Sequence, residues 1–384
     1  VLYGGDGDDT IYINNSETCI NGGKGNDTVI VQDGRNYTFI GYDKYLFENY
    51  YGISGDATPC APGRDYIDFS DAPSSVNLNF SGRRGNDTLI SGRGNDKLLG
   101  GGGADYLKGN AGNDDIYGGS FETNAADGYA DTLLGGDGSD RLFVDAYDVV
   151  NGGSGYDYAA VHGSAGVHWV GYSKYSIENF QGSTGDDYVD FSDAKAGSYG
   201  TGRSGPEQFG LYLDGRGGND TLIAGAGNDM VIGSDGNDVL RGNAGNDQLW
   251  GGGGNDKYLF SMGDGHDVIK EATGDDEVIF EGAGFNVKSV AFLRQGENLI
   301  VGYGSNTILI ENQFASANLS DWSYGVKAVE TFTLDGLGLQ ITDVNALVQQ
   351  IHAYDAAHAE VTFTSVADVA ANADVSALIA SAWS

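Results

Sequence analysis

From Gly215 the chain reads GRGGNDTLI, AGAGNDMVI, GSDGNDVLR, GNAGNDQLW and GGGGNDKYL, an unbroken run of nonapeptides ending at Leu259. Its aspartates, Asp220, Asp229, Asp238, Asp247 and Asp256, recur every nine residues. A second array places Asp87, Asp96, Asp105 and Asp114 at the same interval. Single copies stand at GGDGDDTIY (Gly4–Tyr12), GGKGNDTVI (Gly22–Ile30), GGDGSDRLF (Gly135–Phe143) and GGSGYDYAA (Gly152–Ala160), contributing Asp9, Asp27, Asp140 and Asp157. Asp187 and Asp267 close looser versions of the same turn. The shared pattern is G-G-x-G-x-D-x-U-x, with U a large apolar residue, and a period sustained in this way marks a solenoid.

Each part of the pattern has a physical job. Glycines supply the backbone angles of a tight turn, and the three residues after it form a short strand. The U side chains, among them Leu98, Leu107, Ile116, Val231, Leu240 and Leu249, point inward. Two turns and two strands complete a coil, so residues i and i+18 stack on the same edge, about 4.8 Å apart. That spacing lets a cation sit between stacked turns, held by carboxylates and turn carbonyls. Ca²⁺ takes six to eight oxygens at about 2.3–2.6 Å and suits this donor set. The expected sharing pairs are Asp87 with Asp105, Asp96 with Asp114, Asp220 with Asp238, Asp229 with Asp247, and Asp238 with Asp256. A single copy has no array around it to guarantee a stacking partner.

Other readings of glycine-rich sequence fail on specific residues. An Asp closes each loop and no P-loop Lys follows, so phosphate would be repelled. A flexible linker would not place an apolar residue two positions after every Asp. An EF-hand needs a closing Glu at the twelfth loop position, and none is present. These arrays resemble the RTX, or hemolysin-type, calcium-binding repeats. The resemblance implies an all-β fold, a parallel β-roll or β-helix solenoid with several Ca²⁺ ions in its turns, and secretion to the extracellular space or cell surface.

Charge agrees with a cation partner. The chain carries 55 acidic against 20 basic residues, a formal net charge of -35, yet 40% of it is hydrophobic. Such a chain can bury a core once its carboxylates are neutralised. The same charge argues against nucleic acid as a partner, since that binding depends on Lys and Arg. No apolar run is long enough for a transmembrane segment. The N-terminus shows no basic region followed by an apolar stretch, and position 1 is Val, which points to a fragment or processed product. Cys19 and Cys60 are too few for a disulfide scaffold, though they could staple one inserted loop.

A longer duplication overlies the nonapeptides. INGGKGNDTVIV (Ile20–Val31) parallels VNGGSGYDYAAV (Val150–Val161), and GYDKYLFENYYG (Gly41–Gly52) parallels GYSKYSIENFQG (Gly171–Gly182), both offset by 130. DYIDFSDA (Asp65–Ala72) parallels DYVDFSDA (Asp187–Ala194). The expected organisation is a first roll unit over 1–130 and its duplicate over 131–262. A C-terminal β domain over 263–341 then caps the roll, and a helical tail follows over 342–384. The interludes YTFIGY, VNLNF, VHWVGY and FGLYL read as strands. The motifs Tyr45-x-x-Glu48-Asn49 and Tyr175-x-x-Glu178-Asn179 could stack and hydrogen-bond a sugar, but are better explained as packing where the coil changes direction.

After Asp256 the pattern loosens through GDGHDVIK (Gly263–Lys270) and TGDDEVIF (Thr273–Phe280). FNVKSVAFLRQGENLIVGYGSNTILIENQF then alternates as strands without calcium turns, and VETFTLDG (Val329–Gly336) supplies a last strand. This arrangement resembles the hemolysin-type calcium-binding-related domain, with Glu297–Asn298 a minor departure. Thr342 or Asp343 can cap a helix carrying Val344, Leu347, Val348 and Ile351 on one face. The closing DVSALIASAWS resembles the uncleaved C-terminal signal read by a type I secretion exporter.

No HExxH helix or GxSxG elbow is present, and the histidines are scattered. No catalytic residue is therefore assigned. The expected function is a secreted calcium-binding structural or adhesive module that folds outside the cell, its partners a cell-surface polysaccharide or further copies of itself. An alternative is the C-terminal module of a larger secreted protease, lipase or polysaccharide-modifying enzyme with its catalytic domain upstream. A third is a β-helix that itself acts on polysaccharide.

Overall fold

The x-U-x triplet after each aspartate is the smallest strand that can bury one side chain and expose its two neighbours. Thr88–Ile90 and Thr221–Ile223, both reading TLI, do this: the central Leu89 and Leu222 are fully buried and the flanking residues half-buried. The computed structural model describes residues 2–13, 20–31, 37–52, 63–119, 127–196, 210–271, 273–285, 290–313, 329–334, 337–340, 344, 346–351, 353, 363 and 365–383. Cys19 and Cys60 lie outside them. The fold is all-β, a parallel β-roll with a short helical tail.

The chain divides into two compact units. In the first, Val1–Val167 with Tyr172–Ser183, two parallel sheets run side by side along the coils. One stacks Ile11, Val29, Tyr50, Phe80, Leu98, Ile116, Leu142, Ala159 and Phe180 in register. The other stacks Phe39, Ile67, Leu89, Leu107, Leu133 and Val150. These are the U positions, and each is buried. Burying one such apolar side chain is worth about 1.5–3 kcal/mol, so the two stacks form a core that is long but only one residue deep per strand.

The second unit, His168–Gly171 with Thr184–Ser384, repeats the plan. Trp169, Val189, Leu222, Leu240, Tyr258, Val278 and Phe332 form one stack. Leu213, Val231, Leu249, Ile269 and Ile310 form the stack on the other edge. The coil therefore continues past Asp256 through His266–Lys270 and Asp276–Phe280 before the topology changes. Asn306–Ile310 joins the sheet parallel to His266–Lys270, then pairs antiparallel with Asn298–Tyr303, which pairs antiparallel with Val290–Gln295.

On this antiparallel region sits the tail. Val344, Leu347, Val348 and Ile351 are buried as the sequence pattern requires, while Thr342 and Asp343 lie outside the described residues. Helix Val366–Ala371 starts in a capping box of Ser365 and Asp368. Helix Ala373–Ala382 follows, with Asn372 accepting from the Asp374 and Val375 amides. Val369, Val375, Ile379 and Trp383 are buried, and the Trp383 ring lies 6.5 Å from that of Phe292. Among the described residues no helix is long and apolar enough to cross a membrane.

Candidate functional site

Two residues before most of the buried U residues stands a carboxylate, and stacking turns these into ladders. In each step the backbone N–H of one coil donates to a carboxylate oxygen of the next. On one edge of the first unit Tyr37 donates to Asp65 (2.9 Å), Asp65 to Asp87 (2.7 Å), Asp87 to Asp105 (2.7 Å), Asp105 to Asp131 (2.7 Å) and Asp131 to Asp148 (2.9 Å). On the other edge Leu78 donates to Asp96, Asp96 to Asp114, Asp114 to Asp140, Asp140 to Asp157 and Asp157 to Glu178. A short ladder runs from Asp9 through Asp27 to Glu48.

The second unit has the same device. Asp187 donates to Asp220, Asp220 to Asp238, Asp238 to Asp256, Asp256 to Asp276 and Asp276 to Glu330. Leu211 donates to Asp229, Asp229 to Asp247 and Asp247 to Asp267. Every expected sharing pair is thus adjacent in a ladder, and the single-copy aspartates Asp9, Asp27, Asp140 and Asp157 also find stacked neighbours.

The second carboxylate oxygen separates two kinds of step. In Asp9, Asp27, Asp87, Asp105, Asp114, Asp140, Asp220, Asp238, Asp247, Asp256, Asp267 and Asp276 the Oδ2 atom is buried without a hydrogen-bond partner. Elsewhere the protein supplies one. Asp96 Oδ2 accepts from Gly92 N–H (3.0 Å), Asp229 Oδ2 from Gly225 N–H (3.2 Å), Asp148 Oδ2 from Asp145 N–H (2.8 Å) and Asp65 Oδ2 from the Tyr50 hydroxyl (2.5 Å). A buried, unpaired anionic oxygen costs several kcal/mol, so the open set needs a proton or a cation.

The surroundings of the open oxygens favour a cation. A Cβ at Gly233 would collide with Asp238 Oδ2 and with the Gly251 carbonyl of the next coil, so the bare glycine brings a carboxylate and a carbonyl to one point. Gly236, at φ 141°, packs against the Gly218 carbonyl, an approach that no side chain permits. Hard oxygens of this kind, closely spaced and free of basic side chains, fit Ca²⁺. When bound, the ion supplies two positive charges and accepts the oxygens that the backbone leaves open.

Burial holds many of the ladder aspartates far above their ordinary value of 3.8. It pushes Asp247 up to about 9, Asp105, Asp114 and Asp220 to about 8, Asp87, Asp267 and Asp276 to about 7, and Asp140, Asp238 and Asp256 to about 6. The neighbouring-coil N–H pulls each back partway, and adjacent carboxylates push several of them higher. Asp27 and Asp96 are raised for the same first reason.

Asp65, Asp131, Asp148, Asp276, Glu48, Glu178 and Glu330 belong to the ladders but escape a search for glycine-rich nonapeptides. All carry a simpler signal, a carboxylate two residues before an inward apolar residue, as in Asp131-Thr132-Leu133 or Glu330-Thr331-Phe332. The glutamates end ladders. Glu48 takes the Asp27 N–H (2.7 Å) on one oxygen and the Tyr42 hydroxyl (2.5 Å) on the other; Glu178 takes the Asp157 N–H (2.6 Å) and the Tyr172 hydroxyl. Tyr45 and Tyr175 are buried. The Tyr-x-x-Glu-Asn motifs therefore serve the roll itself, which supports the packing explanation over a sugar site.

A family model described as the RTX calcium-binding nonapeptide repeat (4 copies) matches residues 1–13, 20–38, 79–107, 92–122, 125–146, 212–231, 223–258 and 232–269. A search of curated proteins finds no match. Among solved structures the chain is similar to the extracellular lipase LipA from Serratia marcescens, at 22% identity and a TM-score of 0.19. That similarity covers 65% of this chain, and this chain spans 43% of that lipase.

Proposed function

Because the arrays of this chain belong to the RTX calcium-binding nonapeptide repeat family, we propose that it is a calcium-folded structural or adhesive module working outside the cell. The observation that carries the reading is the set of buried Oδ2 atoms with no hydrogen-bond partner, repeated coil after coil on both edges of each unit. A chain at -35 that brings its carboxylates into file must neutralise them to stay folded. Binding free energy then becomes folding free energy.

The ion's absence or presence would set where the fold forms. Extracellular calcium modules bind at about 10⁻⁴–10⁻³ M, so the chain would stay open in the cytosol and close outside. While it is open, the tail that buries Trp383 against Phe292 is free to be read by a type I exporter. Once folded, the outward faces of the roll are left to meet a cell-surface polysaccharide or another copy. The division at 1–130, 131–262, 263–341 and 342–384 belongs to the same proposal, each roll unit serving as one calcium-loaded segment. The arrays have no catalytic part in it, since their carboxylates serve turns and ions.

Circular dichroism across a calcium titration tests this directly. We expect coil in chelator and β-structure in millimolar calcium, with a cooperative transition. A chain equally structured in excess chelator would refute it.

A further inference from the structure

The last full step of the second array differs from the regular ones at its first turn position. In the regular turns the first glycine leaves room for the Asp Oδ2 of its own repeat, as Gly251 does for Asp256. One coil on, Trp250 pairs with Lys270, which places Glu271 at the position matching Gly251. The step from Asp256 to Asp276 is 20 residues instead of the regular 18, as is the step from Asp247 to Asp267 on the other edge. The site where the array would carry another bare turn therefore carries a carboxylate.

That carboxylate turns toward the ladder. One oxygen each of Asp256, Glu271 and Asp276 all lie within 4.8 Å of one another. Asp256 and Asp276 are 0% exposed, and the Oδ2 atom of each has no hydrogen-bond partner. The Tyr258 hydroxyl donates to Glu271 Oε1 and orients it. Glu271 also lines a cavity of about 700 Å³ together with Trp250 and Lys270, which gives the cluster an approach from solvent. Three carboxylates so close repel strongly unless a proton is shared between two of them, as between Glu271 and Asp276 in the ion-free protein, or a multivalent cation lies among them.

We infer that Asp256, Glu271 and Asp276 form a three-carboxylate calcium site, tighter than the two-carboxylate steps of the arrays and filled before them. This rests on the arrays being calcium sites at all. Affinity in oxygen-ligand calcium sites rises with the number of charged ligands, and the third carboxylate supplies that charge. A site filled first at this place would anchor the coil where it meets the antiparallel strands, and the array would order outward from it.

Terbium titration of the full chain, read by luminescence sensitised through tyrosine and tryptophan, tests the site, with Tyr258 and Trp250 close by as donors. Wild-type protein should take up a first ion in a distinct tight phase. Glu271→Gln should weaken that phase about tenfold, while the calcium-driven circular dichroism transition at higher concentration persists. Glu271→Gly, which restores the residue of the regular turn, should do the same and fold at saturating calcium. Exposed Glu297→Gln, removing equal charge elsewhere, should leave the tight phase unchanged. A tight phase of undiminished affinity in Glu271→Gly, with the circular dichroism transition intact, would overturn the three-carboxylate site alone. Loss of the transition in wild-type protein would overturn the calcium reading beneath it.

Discussion

Within the second unit, the array strands and the antiparallel strands that follow are held by different means. Val239–Arg241 and its array neighbours bury one residue in three, and each is tied to the next coil through a buried carboxylate. Val290–Gln295 buries four consecutive residues, and Asn298–Tyr303 buries Leu299, Val301 and Tyr303. Phe292 of these strands packs on Phe332 and Trp383, and no backbone N–H of either strand donates to a ladder carboxylate among the described residues, although Glu330, two residues before Phe332, ends one ladder and Tyr303 lies near Asp267 and Asp247. The contrast teaches that hydrophobic burial can carry most of the antiparallel region, whereas the array's thin core must be supplemented by neutralised carboxylates.

Chelation should break the two regions apart, with the largest effect of any treatment. Hydrogen exchange in excess chelator should show full loss of protection in 212–280 and retained protection in 290–303. Uniform loss would show that the antiparallel strands draw their stability from the array. Uniform retention would show that the array needs no ion.

The converse change acts on the apolar side. Phe292 is fully buried against Phe332 and Trp383, and Phe292→Ala should destabilise the antiparallel region by about 3–5 kcal/mol. The calcium midpoint of the array, followed by circular dichroism, should move little. A midpoint shift as large as that of an array aspartate variant would mean that the two regions fold as one cooperative block.

Much of this contrast was legible in the sequence. The U positions and the nine-residue period gave both stacks, since alternation in a short strand leaves one side chain no choice but inward. The ladders were legible only where glycines accompanied the aspartate. Asp131 follows Asp105 by 26 residues, not 18, so a fixed period passes over it. Asp65 is legible through its duplicate Asp187, which closes a recognisable turn. Glu271 was invisible because it occupies a glycine position, where the pattern expects no side chain. The tyrosine hydroxyls on Glu48 and Glu178 depend on a turn of helix at Tyr42–Tyr45 and Tyr172–Tyr175 that no local periodicity announces.

Acid should substitute in part for calcium, in the array only. Array aspartates such as Asp238 and Asp247 have folded values raised from 3.8 to about 6 and about 9. A raised folded value means that the folded state binds protons more tightly, so the stabilisation is present at low pH and is lost as pH rises through that window. In chelator, lowering the pH from about 9 to about 5 should therefore recover β-structure in the array, with exchange protection at 290–303 unchanged. Recovery on raising the pH instead would contradict the burial of the ladder.

The finest distinction lies between adjacent repeats of one array. Asp238 and Asp229 are both fully buried, both follow a G-N dipeptide, and both accept an N–H from the preceding coil on Oδ1. They differ at Oδ2, which is open in Asp238 but bound to the Gly225 amide in Asp229. A carboxylate already satisfied on both oxygens has less to offer an ion, because a metal would have to displace a hydrogen bond worth about 1.5–3 kcal/mol. Asp238→Asn should therefore raise the calcium midpoint severalfold, since it weakens the steps on either side of it. Asp229→Asn sets an amide against the Gly225 N–H, so it should lower thermal stability at saturating calcium while shifting the midpoint less. Calcium titration and thermal melting of the two variants side by side separate these effects. Equal midpoint shifts would mean that the Gly225 amide yields to the ion, and that both turns bind calcium alike.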